Sequence, residues 1–120
     1  MPSRPITVLA AAAILILAGC SSSGSSAAAS VCKETKDAGA VAVTVVDFGF
    51  QPTDVAAKVG QVIAFSNTGS SPHTATVDGG QCATPTITPG TSDGLVFSAA
   101  GTYRFHCSIH SQMTGTIVVS

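Results

Sequence analysis

The feature that most constrains the fold is a series of short strand-like runs between residues 41 and 119. In "VAVTVVDF" and "GQVIAFSN" larger apolar residues alternate with smaller or polar ones, which is the two-residue period of a strand with one buried face. Gly, Pro, Asn and Asp separate further runs, namely "HTATV", "GLVFSA", "TYRFHC" and "TGTIVV". Only "DVAAKVG" has room for a helical turn. We therefore predict an all-β sandwich or barrel.

The first residues indicate export. A short basic start is followed by an apolar run from Ile6 to Ala18 and then by Leu-Ala-Gly-Cys, ending at Cys20. We interpret residues 1–19 as a secretory signal peptide, because the run is too short to span a membrane. The ending resembles the lipobox of bacterial lipoproteins, in which the cysteine carries the lipid. The alternative is an ordinary signal peptide that is cut nearby.

The next segment is a low-complexity linker. Its sequence "SSSGSSAAAS" can bury almost nothing, and about ten such residues reach on the order of 17 Å. Residues that can contribute to a core begin near Val31. We assign residues 20–38 to a lipidated Cys20 with a flexible tether, and residues 39–120 to a single folded domain. The protein is expected to be anchored to a bacterial membrane and to face the periplasm or the cell exterior.

Charge is sparse and slightly acidic. Charged residues make up 9% of the sequence, well below the roughly 25% of ordinary globular proteins. No basic patch is present that would suit nucleic acid, so that class of partner is disfavoured. Long-range electrostatic steering toward a highly charged partner is also expected to be weak.

Four cysteines require assignment: Cys20, Cys32, Cys82 and Cys107. If Cys20 carries lipid and Cys107 binds a metal, Cys32 and Cys82 are left in an oxidising compartment. A disulfide between them is then the default expectation, with two free thiols as the alternative. Its role would be to stabilise the fold, because neither cysteine belongs to a CxxC motif.

The stretch "CSIHSQM" places a thiol, an imidazole and a thioether three residues apart, from Cys107 to Met113. In the preceding strand-like run, Tyr103, Phe105 and Cys107 share one face. The two aromatic residues predict that this face is buried, so Cys107 lies at the edge of the core. The same alternation directs His106 outward, and we interpret it as a surface histidine.

A metal site can be built on this stretch. The chain must turn before the run "TGTIVV", and such a turn can direct Cys107, His110 and Met113 toward one interior point. With His106 set aside, His73 is the remaining histidine, and it lies at a strand end beside a turn. Two imidazoles, a thiolate and a weak thioether suit copper in electron-transfer sites. Zinc would accept the histidines and the thiolate, but it rarely uses a thioether. Individually, these residues could be a core thiol, a core filler and a loop histidine, but their joint spacing favours the site.

The segment "GTYRFHCSIHSQMTGTIVV" resembles the ligand loop of the small blue copper proteins, the cupredoxins. The CxxHxxM spacing is that of the amicyanin branch, whereas plastocyanin and pseudoazurin have a longer interval before the methionine. The resemblance extends upstream through "VVDFGFQPTDVAAKVGQVIAFSNTGSSPHTATV". It implies a Greek-key β-sandwich with one copper ion near one end, bound by His73, Cys107, His110 and Met113.

Three residues depart from the family pattern. The asparagine that often follows the first histidine and restrains the ligand loop is Thr74 here, whose hydroxyl can still form a hydrogen bond near the ligands. The proline between the cysteine and the second histidine is Ile109, and the tryptophan of the earlier strand is replaced by Phe65.

The resemblance implies an electron-transfer protein that cycles between Cu(II) and Cu(I). His110 would have its ring edge at the surface, with Pro72 and Ile109 as a docking patch for transient redox partners. We expect a monomer, and no enzyme, because no open coordination position or acid/base pair is indicated. The alternatives are copper delivery or sequestration, which would more often show Met- or His-rich tracts, and a docking module without metal, which would not need a complete ligand set.

The tripeptide "DFG", Asp47 to Gly49, matches a motif of protein kinases. The other kinase motifs are missing from the sequence, and the chain is too short for such an enzyme. We interpret the tripeptide as a turn at a strand end.

Overall fold

A computed structural model describes residues 30–120 of the chain. Within them, the chain forms nine strands and no helix. The strands are β1 (Cys32–Thr35), β2 (Val41–Val46), β3 (Gly49–Gln51), β4 (Asp54–Ala57), β5 (Val62–Asn67), β6 (Thr76–Val77), β7 (Ser92–Phe97), β8 (Gly101–His106) and β9 (Thr114–Val119). Because this described part is free of helices, it also contains none that is long and apolar enough to cross a membrane.

The strands form two sheets that pack as a sandwich. One sheet has five strands in the order β1-β7-β5-β2-β3, and the other has four in the order β4-β9-β8-β6. The pairs β2–β5 and β4–β9 are parallel, and the other pairs are antiparallel. This confirms the predicted all-β sandwich with a single core.

The core follows the alternation seen in the sequence. In β5, Ile63, Phe65 and Asn67 are buried, whereas the residues between them are only partly covered. Phe50, Phe65 and Phe105 form an edge-to-face cluster with ring centroids 4.6 to 6.2 Å apart. Each such aromatic pair contributes about 0.5–1.5 kcal/mol beyond the burial of its area. Phe65 thus packs into the core where the family often has a tryptophan.

Two segments differ from their sequence-based interpretation. "DVAAKVG", considered for a helical turn, contains β4, whose Val55 and Ala57 are buried while Asp54 and Ala56 are exposed. Its parallel pairing with β9 decides its conformation, since alanine has little strand preference of its own. "HTATV" is extended, but only Thr76–Val77 form a strand, and His73 makes an isolated bridge to Ile87.

The predicted boundary at residue 38 is also too late. The segment assigned to the tether includes β1, which pairs with β7 and forms an edge of the five-stranded sheet. Its sequence "CKET" is mostly polar, because only Cys32 is buried and the other residues of this edge strand face solvent at least in part. Cys32 in β1 forms a disulfide with Cys82, with a Cα–Cα distance of 5.9 Å, as the cysteine assignment predicts. The predicted signal peptide and Cys20 lie outside the described residues.

Candidate metal centre

The candidate site lies at one end of the sandwich, which we call the cluster end. Strands β2, β5 and β8 finish there and β3 and β9 begin there, as the pairings of Val45 with Asn67 and of His106 with Thr114 show. Cys107 directly follows β8, and His73 lies between β5 and β6. Residues from two separate parts of the chain therefore meet at one rim.

His73, Cys107 and His110 bring three donor atoms together. The two histidine Nδ1 atoms are 3.2 Å apart, and Cys107 Sγ is 3.9 Å from His73 Nδ1 and 3.8 Å from His110 Nδ1. Metal–nitrogen bonds of about 2.0 Å and metal–sulfur bonds of about 2.3 Å can span each of these separations from one central ion. These three are the metal-ligating group found within residues 30–120.

His73 is buried, and contacts with Ile87 and Asp47 orient its ring. Its side chain has no solvent exposure, and its backbone exchanges two hydrogen bonds with Ile87, of 3.2 and 2.7 Å. Its Nε2 lies 2.7 Å from Asp47 Oδ1. With the proton on Nε2 donated to this carboxylate, the Nδ1 lone pair faces Cys107 and His110. The imidazole is therefore held in the form that can bind a metal.

The Cys107 thiol is buried but favours its ionised form. Burial by itself would raise its pKa, but hydrogen bonds from the backbone N–H groups of Thr74 and His110 outweigh burial and lower the pKa to about 6. The Thr74 N–H lies 3.4 Å from Sγ. A thiolate at neutral pH is the form that binds soft metal ions.

A short turn carries the remaining donors. Met113 N–H donates to the His110 carbonyl at 2.9 Å, and Cys107 N–H donates to the Met113 carbonyl at 3.0 Å. These bonds bring the backbone of Met113 next to that of Cys107, and the Met113 side chain is buried. The turn thus holds the backbones of Cys107, His110 and Met113 close together.

Thr74 links the two halves of the site. Its hydroxyl accepts the Ser108 N–H at 2.9 Å and lies 3.0 Å from both Ser108 Oγ and Thr76 Oγ1. The Thr74 hydroxyl thus forms a hydrogen bond to the residue after Cys107. It ties the residue after His73 to the residue after Cys107, which keeps the two ligands at a constant separation.

Asn67 and Asp47 order the loop that leads to His73. The buried Asn67 amide donates to the carbonyls of Ser71 and Ile87, both at 2.8 Å, and its oxygen accepts the Gly69 N–H at 2.9 Å. Hydrogen bonds from the Ser70 N–H and then from His73 lower the pKa of the Asp47 carboxyl. The carboxylate is thus charged at neutral pH.

The outer rim of the site is apolar. His110 is half-buried, and exposed Pro72, Ile109 and Phe48 lie at the same end. The Phe48 ring packs edge-on against His110, with centroids 4.9 Å apart, and lies 6.1 Å from the His73 ring. His106 lies outside the cluster, as predicted, and pairs instead with Asp78 at 2.5 Å.

Sequence reasoning missed three residues of this region. Asp47 and Phe48 belong to the tripeptide "DFG", whose sequence indicates only a turn, and Asn67 by itself indicates only the end of a strand-like run. The turn itself is present, between β2 and β3. The carboxylate of Asp47 at the end of a strand-like run could have indicated a supporting role, but its partner His73 lies 26 residues away.

Comparisons with known proteins agree with this geometry. A family model described as the cupredoxin-like domain matches residues 8–119. A methionine-to-alanine mutant of amicyanin in its Cu(I) form is 30% identical, with 70% of this chain and 85% of that chain covered and a TM-score of 0.62. A proline-to-alanine mutant of amicyanin in its oxidized state is 29% identical, with coverages of 73% and 92% and a TM-score of 0.62. No curated protein sequence matches the chain.

Proposed function

Because the chain belongs to the cupredoxin-like family, we propose that it is a type 1 copper protein that carries electrons between redox partners at the outer side of a bacterial membrane. The observation that carries this proposal is the convergence of His73 Nδ1, His110 Nδ1 and Cys107 Sγ within 4.8 Å of one another. Two imidazoles and a thiolate, with Met113 on the same turn, fit a copper electron-transfer site.

When bound, copper supplies a one-electron couple between Cu(II) and Cu(I). His73 and His110 would hold the ion through Nδ1, Cys107 would supply the thiolate, and Met113 would be the candidate thioether ligand. The hydrogen bonds of Asp47 and Thr74 restrain these side chains, so that the ligands move little between the two oxidation states. A small rearrangement is what fast electron transfer requires.

Electrons would enter and leave at the His110 side. This ring is half-buried, Phe48 packs against it, and Pro72 and Ile109 add exposed apolar surface at the same end of the sandwich. Phe48 and Ile109 expose 55% and 47% of their surface, respectively. An apolar patch with little charge suits brief contacts with a partner protein.

Copper loading tests the proposal. We expect the purified protein to develop an intense thiolate-to-copper band with Cu(II), and this band should bleach reversibly on reduction. Cys107→Ser should lack the band while it keeps the far-ultraviolet circular dichroism of a β protein. A folded wild-type protein without the band after exposure to copper would refute the proposal. Rapid loss of Cu(I) to a chelator would favour copper delivery or sequestration instead.

We also propose that a lipid on Cys20 anchors the protein. The Leu-Ala-Gly-Cys sequence supports this, and so does the entry point of the chain into the domain. The Ser98 N–H donates to the Val31 carbonyl, and the Gly60 N–H donates to the Phe97 carbonyl. These bonds lie at the opposite end of the sandwich from Cys107, since β8 runs from Gly101 at that end toward the cluster end.

This arrangement would direct the metal centre away from the bilayer. A strand of six residues separates the two ends by about 20 Å. We expect the wild-type protein to sediment with membranes and Cys20→Ser to be released. An equal membrane-bound fraction for both proteins would contradict the lipid anchor, whereas the copper band tests the metal centre separately.

A further inference from the structure

Asp47 contacts the proposed ligand His73 on the side of the ring opposite the cluster. Its Oδ1 lies 2.7 Å from His73 Nε2, while His73 Nδ1 lies 3.9 Å from Cys107 Sγ. The His73 side chain is fully buried. One ring nitrogen is thus committed to the carboxylate, and the other faces the three-donor cluster.

The carboxylate is itself held in place by the loop before His73. The Ser70 N–H donates to Oδ2 at 2.7 Å, and the Ser71 N–H donates to Oδ1 at 3.2 Å. The close approach of this loop requires glycine at position 69, because a Cβ there would lie 2.8 Å from Asp47 Cγ. Three hydrogen bonds, from Ser70, Ser71 and His73, therefore hold the carboxylate in place.

The second histidine of the cluster has different surroundings. His110 is half-buried and packs against Phe48, and within residues 30–120 it makes no hydrogen bond or ion pair with a carboxylate. Of the two imidazoles, only His73 therefore has a carboxylate as its hydrogen-bond partner within residues 30–120.

We infer that Asp47 is a positioning residue of the metal centre, which holds His73 with Nδ1 toward the ion and lowers the reduction potential of bound copper. The inference rests on the proposed copper function. A carboxylate that accepts the Nε2 proton makes the imidazole a stronger donor. Its negative charge also stabilises Cu(II) more than Cu(I), because the Coulomb energy scales with the charge of the ion.

Two substitutions separate charge from position. Asp47→Asn keeps an oxygen that can accept the His73 proton but removes the charge and the acceptor of the Ser70 N–H, so the copper band should remain and the potential should rise. A tenfold loss of Cu(II) affinity relative to Cu(I) affinity corresponds to about 59 mV for a one-electron couple. Asp47→Ala removes both features, and copper affinity should fall by about 10- to 100-fold, as is typical when such a supporting partner of a ligand is lost.

A matched control is available in the same protein. Asp78 pairs with His106, a histidine outside the cluster, at 2.5 Å. Asp78→Asn therefore removes one carboxylate from a histidine pair without touching His73, and the potential should change less than in Asp47→Asn. Gly69→Ala provides an independent route, because the added methyl group displaces the carboxylate and should raise the potential as Asp47→Asn does.

Nitrogen NMR of the copper-free protein tests the positioning without any metal. We expect the wild-type His73 ring to carry its proton on Nε2, and Asp47→Ala to show a mixture of the two ring tautomers. A wild-type tautomer retained in Asp47→Ala, or a potential that moves no more in Asp47→Asn than in Asp78→Asn, would overturn the inference. A protein without a copper band but with the expected tautomer change would instead refute the copper function and keep the positioning role.

Discussion

The two histidines of the cluster present the same ring nitrogen to the same point from opposite surroundings. His73 is fully buried, bridged to Ile87 through its backbone and hydrogen-bonded to Asp47. His110 lies on a short turn at the rim, half-buried and covered on one side by Phe48. The buried side restrains the geometry of the site, whereas the exposed side offers contact with a partner. If this division holds, substitutions on the two sides should differ in their effects on stability and on electron exchange.

The largest effect concerns Cys107, which lies between the two sides. Its folded pKa of about 6 is below the ordinary 9.0, so the thiolate stabilises the fold above pH 9 and this stabilisation is lost as pH falls through about 6. The upper bound is about 4 kcal/mol, at 1.36 kcal/mol for each pKa unit. Urea unfolding of the copper-free protein between pH 6 and 9 should show this rise. Cys107→Ser should show a much smaller rise, and an equal rise in both proteins would contradict the assignment.

Replacement of each histidine by alanine should lower the free energy of unfolding by different amounts on the two sides. His73→Ala leaves a buried cavity, and we expect it to reduce the free energy of unfolding by about 2–4 kcal/mol. His110→Ala removes a rim side chain and should cost less than about 1 kcal/mol. Urea unfolding of the copper-free variants measures both. Equal losses would show that the buried side has no special structural role.

The contribution of Thr74 to stability should come from its hydroxyl group rather than from the shape of its side chain. Thr74→Val leaves the Ser108 N–H without its acceptor, which costs about 1–3 kcal/mol. Thr74→Ser keeps the acceptor and serves as the matched control. Thermal unfolding should rank the serine variant near the wild type and the valine variant below it. The valine variant should also release copper faster, since the ligand loop loses its link to the residue after His73.

The exposed side should affect electron exchange with little effect on stability. Phe48→Ala and Ile109→Ala should slow electron self-exchange by roughly tenfold, since association rates of related complexes vary within about one to three decades. Their free energies of unfolding should change by no more than about 0.5 kcal/mol. Val59, 46% exposed at the opposite end, provides the control, and Val59→Ala should leave the exchange rate unchanged. NMR line broadening in mixtures of the two oxidation states measures the rate.

Much of the cluster could be predicted because its chemistry is local. Cys107, His110 and Met113 lie within seven residues, and the alternation of "TYRFHC" already directs Cys107 inward. The structure agrees, with Phe105 and Cys107 buried and His106 partly exposed. His73 could be found by elimination only because the chain has three histidines.

The residues around the cluster could not be predicted in the same way. Asp47 lies 26 residues from His73, and the two meet only because β2 pairs in parallel with β5, which sets Val45 opposite Asn67. Likewise, β4 is a strand because it pairs with β9, although its sequence "DVAA" has no marked strand preference. The edge strand β1 was assigned to the tether because it buries few apolar groups.

The all-β class, the donor atoms and their spacing could be predicted from the sequence, because strand periodicity and ligand chemistry depend on neighbouring residues. Three choices are made only in the folded chain, namely which histidine is buried, which carboxylate supports it and which aromatic ring covers the other. Those choices depend on strand register between distant segments, and register is decided by the packing of the whole sandwich rather than by any local pattern.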